Sequence, residues 1–189
     1  LTDGTGAMGR RVEYLCAASD KEALTGNPET VMQVDYKIDQ NVLMLTDDFG
    51  ETWIPSGLTE DEVADTLDIY RNGNEIPENS FCADGRGNFA VFYGSSPVLR
   101  VLTGDGAQWT DIPFAEQFPR GCIARVIRFL DSENWYAALG TDWSMGTGGA
   151  TYVYWTHDGG QTWTSRLLPD TDALLLTGLE YADTMNGML

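Results

Sequence analysis

The sequence predicts an all-β chain of repeated antiparallel sheets, interrupted by one short helix. Three observations carry this expectation. Glycine (21 residues) and aromatic side chains (11%) are both plentiful, and short runs of β-branched or alternating apolar residues are closed by Gly, Asp and Asn turns. An eight-residue segment recurs almost intact, at Thr46 to Trp53 and again at Thr156 to Trp163. Helical periodicity is confined to a single stretch of the chain.

From the N-terminus, strands are expected near Val12–Ala18, Val31–Lys37, Val42–Asp47 and Thr52–Pro55, each an apolar run ended by a polar turn. Thr59 and Glu62 then stand at capping-box spacing, acids fill the first turn, and Val63, Leu67 and Tyr70 recur at helical intervals until Gly73. This predicts an amphipathic helix over 60–71, with its acidic face solvated above a strand edge. Strands resume near Phe81–Ala83, Phe89–Tyr93, Val98–Thr103 and Trp109–Ile112. A further group follows near Ile123–Leu130, Trp135–Leu139, Thr151–Thr156 and Trp163–Leu168, and then Leu174–Tyr181 and the residues from Gly187 on.

The repeat reads T-x-D-x-G-x-T-W in both full copies. Between them, Thr103-Gly104-Asp105-Gly106-Ala107-Gln108-Trp109 keeps the Thr, the Asp and the Trp but is one residue shorter. The three copies start at 46, 103 and 156, spacings of 57 and 53 residues. A second landmark agrees, because the segment from Phe129 to Trp135 echoes that from Tyr181 to Gly187 at an offset of 52. That period suits one four-stranded propeller blade. Blades are expected over 10–58, 81–116 and 121–169, with a partial fourth over 174–189 and the helix bridging the first two. The result is a partial β-propeller of about three and a half blades. Its open edges would be closed by self-association or by the remainder of a longer chain.

Within each copy the chemistry explains the spacing. Asp48 and Asp158 stand where a carboxylate accepts N–H groups of the following turn, and Gly50 and Gly160 supply the positive φ that a tight hairpin demands. Thr52 and Thr162 are expected to restart an extended strand, while the indoles of Trp53 and Trp163 fold back over the hairpin. Thr46 and Thr156 open the clasps, and Thr103, Asp105 and Trp109 form the shorter version. A calcium site on Asp47 and Asp48 lacks the alternating ligand order and the distant Glu of an EF-hand, so no metal is expected.

The pattern resembles the Asp-box, or BNR repeat, of sialidases, other glycoside hydrolases, sortilin-type receptors and photosystem assembly propellers. The resemblance implies that these residues lie on the outer rim as structural staples. It also implies a location outside the cytoplasm, extracellular or in the cell envelope. A sialidase would need an arginine triad for the substrate carboxylate, a Phe/Tyr-Arg-Ile-Pro segment, and a Tyr nucleophile backed by Glu. No Arg-Ile-Pro segment occurs in this sequence, so no catalytic residues are assigned.

Charge narrows the partners. Acids outnumber bases 29 to 11, for a formal net charge of -18, so nucleic acid and anionic membrane surfaces are disfavoured. No apolar stretch is long enough to span a bilayer, and the first residues lack the regions of a signal peptide. A chain opening on Leu1 reads as a processed or excised piece. Cys16, Cys82 and Cys122 read as buried small hydrophobes, with one bridge, such as Cys16 to Cys82, left open by the count. His157, the only histidine, reads as an exposed turn residue with no nucleophile beside it. No cofactor is expected.

The best candidate for ligand contact is the Gly-rich run 140–149, which presents Trp143 and Met145, beside Asp142, on a loop too long for a tight hairpin. An indole there could stack on a sugar ring or a partner's apolar patch. The reading is therefore a non-catalytic platform for a protein or carbohydrate partner. The alternative is a sialidase-like or other glycoside hydrolase with part of its propeller missing, for which Asp35, Asp39, Asp131 and Asp142 would be the candidate acids. A third reading, an assembly factor docking on a membrane complex, would call for a large face of one charge.

Overall fold

The computed structural model describes residues 34–69, 75–103, 108–114, 122–141, 150–168, 180–181 and 187–188. Its strands form antiparallel meanders in which each strand pairs with its sequence neighbour. The first sheet holds β1 (Asp35–Asp39), β2 (Val42–Thr46) and β3 (Ile54–Pro55). The second holds β4 (Phe81–Ala83), β5 (Phe89–Tyr93), β6 (Val98–Leu102) and β7 (Trp109–Pro113). The third holds β8 (Cys122–Phe129), β9 (Trp135–Thr141), β10 (Thr151–Thr156) and β11 (Thr164–Leu167). Two short strands, β12 (Glu180–Tyr181) and β13 (Gly187–Met188), pair with each other. The strand expected at 12–18 lies outside the described residues.

Hairpin chemistry sets these boundaries. β1 runs two residues past its expected end and turns at Gln40 and Asn41, both at positive φ, as a two-residue hairpin requires. β3 and β11 begin two residues later than Thr52 and Thr162, the expected strand starts. The reason is local: both threonines are bonded to the turn aspartate and held in the bend. β8 carries a bulge between Cys122 and Ala124.

Alternation along the strands puts apolar side chains on both faces of the middle sheet. On β5, Phe89, Val91 and Tyr93 pack with Leu43 and Leu45 of the first sheet. Ala90 and Phe92, pointing the other way, pack with Ile127, Phe129, Trp135 and Leu139 of the third. The far face of the third sheet buries Val126, Tyr136, Ala138 and Val153 in a further cluster. The sheets therefore stack face to face in chain order with a separate core in each gap. On its far face the first sheet carries Asp35, Lys37 and Asp39 on alternate positions of β1, opposite Thr46, Met44 and Val42 of β2.

Helix α1 (Glu60–Ile69) lies across this stack. Its capping box is closed: Thr59 N donates to Glu62 Oε2 at 2.8 Å and Glu62 N to Thr59 Oγ1 at 3.3 Å. Val63 is buried against the core between the first two sheets. The expected residues 70–71 lie outside the described residues. Among the described residues, no helix is long and apolar enough to cross a membrane. Cys82 and Cys122 are buried, as expected, and Cys16 lies outside the described residues.

Candidate functional site

The two full repeats fold into matching turns. In the first, Thr46 Oγ1 donates to Asp48 Oδ1 at 2.8 Å and accepts from Gly50 N at 3.0 Å. Thr52 closes the clasp, its N–H reaching Asp48 Oδ1 at 2.9 Å and its hydroxyl Oδ2 at 2.5 Å. In the second, Thr156 Oγ1 donates to Asp158 Oδ1 at 2.6 Å and accepts from Gly160 N at 3.0 Å. Thr162 N and Oγ1 reach Asp158 at 2.9 and 2.5 Å. The central pairs of these turns, Phe49–Gly50 and Gly159–Gly160, all lie at positive φ. Bonds from Thr52, then Thr46, hold the Asp48 carboxyl down at about 2. Bonds from Thr156 and Thr162 hold Asp158 at about 2 as well.

The indoles seal both turns. Trp53 lies over Gly50, whose added Cβ would meet the ring at 3.2 Å, and Lys37 Nζ sits 4.4 Å from the ring centroid. Trp163 Nε1 donates to Gly160 O at 3.1 Å, and its ring meets Phe114 edge-on at 5.3 Å. The shorter copy departs from this plan. Thr103 is exposed, Asp105 lies outside the described residues, and Trp109 opens strand β7 itself. Its Nε1 donates to Pro55 O of the first sheet at 3.1 Å, so this indole ties two sheets together.

The turns between the first two strands of each four-stranded sheet carry a second clasp. Asp131 accepts from Glu133 N and Asn134 N at 2.9 and 2.7 Å, and Asn134 Nδ2 donates to both its oxygens at 2.8 Å. Asp84 takes Arg86 N and Asn88 N at 2.8 and 3.1 Å, and the Asn88 amide donates to it too. Gly159 N donates to Glu133 O at 3.0 Å, so both clasps of the third sheet dock on each other. His157 is exposed there, its Nδ1 2.6 Å from Asn134 Oδ1. Burial, with Asp48 and Asp84 nearby, pushes the Asp47 carboxyl up.

The opposite end gathers the longer connections. Helix α1 links the β1–β2 turn, through Asn41 Nδ2 to Glu60 Oε1 at 2.6 Å, with the β5–β6 turn. There Thr66 Oγ1 accepts from Gly94 N at 3.0 Å and Asp65 Oδ2 from Ser95 N at 2.7 Å. Ser95 O in turn accepts from Arg125 Nη2 at 3.4 Å, and Cys122 at the start of β8 pairs with Thr141 at the end of β9. Thr141 and Ala150 brace the base of the loop between them, with Ala150 N donating to Thr141 Oγ1 at 2.7 Å and Thr141 N to Ala150 O at 2.9 Å. Asp142, Trp143 and Met145 lie on that loop, outside the described residues. Arg125 had no sequence signal, because burial of an arginine on a strand is decided by the sheet stacked against it.

Arg100 joins helix, loop and sheet. It donates to Asp111 at 2.7 and 2.8 Å and to Gly57 O at 2.8 Å, lies 3.8 Å from Glu62, and stacks over Tyr93 at 4.8 Å. The Arg100 guanidinium holds the Asp111 carboxyl below its usual range. Of the candidate catalytic acids, Asp131 is spent on its turn and Asp35 accepts from Tyr36 N at 2.8 Å, while Asp39 is exposed beside the β1–β2 turn. Among the described residues no group of three His, Cys, Asp or Glu side chains could hold a metal ion. Protein-family models, curated proteins and solved structures gave no match to this chain.

Proposed function

We propose that the chain forms Asp-box β-propeller blades acting as a non-catalytic platform, which presents loops to a protein or carbohydrate partner outside the cytoplasm. The observation that carries this reading is the pair of matching clasps, 110 residues apart in sequence, on sheets that stack face to face with a core in each gap. Repeated clasped sheets make a rigid frame, and rigid frames leave recognition to their longer loops. Thr141 and Ala150, bonded to each other at the end opposite the clasps, flank the sequence stretch that holds Trp143, an indole of the kind suited to stacking.

The test is binding of the intact chain to immobilised neutral and acidic glycans, compared with Trp143→Ala. An anchoring indole worth about 2 kcal/mol predicts a loss of affinity above about tenfold. Binding unchanged in Trp143→Ala and Met145→Ala removes the loop from the site. Turnover of a glycoside substrate would replace the platform with the hydrolase.

A further inference from the structure

β3, β7 and β11, the last strands of the first three sheets, end alike. One residue past each strand, Ser56 N donates to Leu43 O at 2.9 Å, Phe114 N to Pro97 O at 3.0 Å and Leu168 N to Thr151 O at 2.9 Å. Inward and outward groups alternate along an antiparallel strand, so the residue before each of those donors turns its backbone away from the sheet. That residue is Pro55 on β3, Pro113 on β7 and Leu167 on β11. Two of the three outer edges therefore carry a proline, which has no N–H to offer, at the same register position. The third carries Leu167, 50% exposed.

β11 lacks other edge protections as well. All of its residues, Thr164 to Leu167, are exposed, no register shift interrupts its pairing with β10, and Arg166 is its one ionisable side chain. β7 by comparison holds Asp111, tied to Arg100, at an outward-turning position. By the same alternation Ser165 and Leu167 direct their N–H and C=O groups outward from β11, while Thr164 and Arg166 bond β10. Such a row is a ready template for a further strand.

We propose that the β11 edge pairs with the same edge of a second copy of this chain, antiparallel about a two-fold axis at Ser165. Two registers keep outward residues opposite outward residues with most of the strand in overlap. Centred on Arg166, the pair would set two guanidinium groups directly opposite each other, which is unfavourable. Centred on Ser165, it sets each Ser165 against its copy, Arg166 against Thr164, and the exposed Leu167 against the half-buried Trp163. The strand is thus self-complementary, and its single charge avoids its like. A pairing this short buries less than a standard dimer interface, so the association is weak. Each copy carries a formal charge of -18, and the pairing tightens as salt screens that repulsion. It requires nothing of the glycan or protein partner proposed above.

The experiment is sedimentation equilibrium of the full chain from about 10 μM to about 1 mM, at low and high salt. The mass is expected to rise from one chain toward two with concentration, and more steeply at high salt. Ser165→Pro removes an outward N–H and leaves the bonds to β10 in place, so it is expected to weaken association at least about tenfold. Because the proline also restrains Thr164 before it, amide exchange of the wild type, read by NMR, gives a second measurement. Protection of the Ser165 and Leu167 amides is expected to rise with chain concentration, while that of Thr164 and Arg166 changes less. A single chain at every concentration overturns the proposal, as does a dimer unweakened in Ser165→Pro. Exchange at Ser165 and Leu167 that ignores concentration, or capture of a foreign extended peptide on β11 by a chain that stays monomeric, overturns it equally.

Discussion

At the scale of single residues, the clasps couple charge to stability. Asp48 and Asp158 titrate at about 2 in the folded chain, below the value of about 3.9 for an unfolded aspartate. A depressed folded value means that the stabilisation is complete above the unfolded pKa and is lost as pH falls through the folded one. Urea midpoints are therefore expected to decline between about pH 4 and pH 2, and Asp48→Asn with Asp158→Asn to flatten that decline. A wild-type slope retained in the double variant would separate the clasps from acid sensitivity. The glycines make a sharper comparison. A Cβ at Gly160 would lie 2.5 Å from the buried Trp135 ring with φ at +84, whereas one at Gly159 meets nothing closer than 3.4 Å at φ +66. Gly160→Ala is expected to cost about 2–4 kcal/mol and Gly159→Ala about 1–2 kcal/mol in chemical denaturation. The Asp-Thr spacing made these bonds legible in the sequence. The approach of Trp135 to Gly160 was not, because it joins two different hairpins.

At the scale of elements, the helix shows how far pattern reading extends. Thr59, Glu62 and Val63 mark its start and its buried face in the sequence, since capping and periodicity are local. Thr66 carried no such signal. It is fully buried, bonds back to Glu62 O at 2.6 Å and accepts from Gly94 N, 28 residues away. Thr66→Val keeps the shape and orphans that N–H, so it is expected to cost about 1–3 kcal/mol, while Thr59→Ala costs about 0.5–2 through the lost cap. Equal and small losses in both would show that the helix does not brace the β5–β6 turn. The strand restarts expected at Thr52 and Thr162 fall two residues late for the converse reason. Both threonines have strand propensity, but their hydrogen bonds to Asp48 and Asp158 outweigh it.

At the scale of the whole molecule, cores alternate with sheets and the joints between sheets are polar. The first joint is made by Trp109 Nε1 on Pro55 O and by Arg100 on Gly57 O. Trp109→Phe combined with Arg100→Met is expected to speed amide exchange in β1 to β3 and leave β8 to β11 protected, read by hydrogen exchange mass spectrometry. Uniform acceleration would mean that the stack opens as one unit. The sequence by itself determined the all-β class, the helix, most strand positions and the turn clasps, because each depends on side chains within about ten residues of one another. Tertiary structure alone decided that Trp109 leaves its hairpin to join another sheet, that Thr66 is a buried acceptor, and that Arg125 is sealed between sheets. Those outcomes depend on which surfaces meet after the strands have formed, and local spacing carries no record of that.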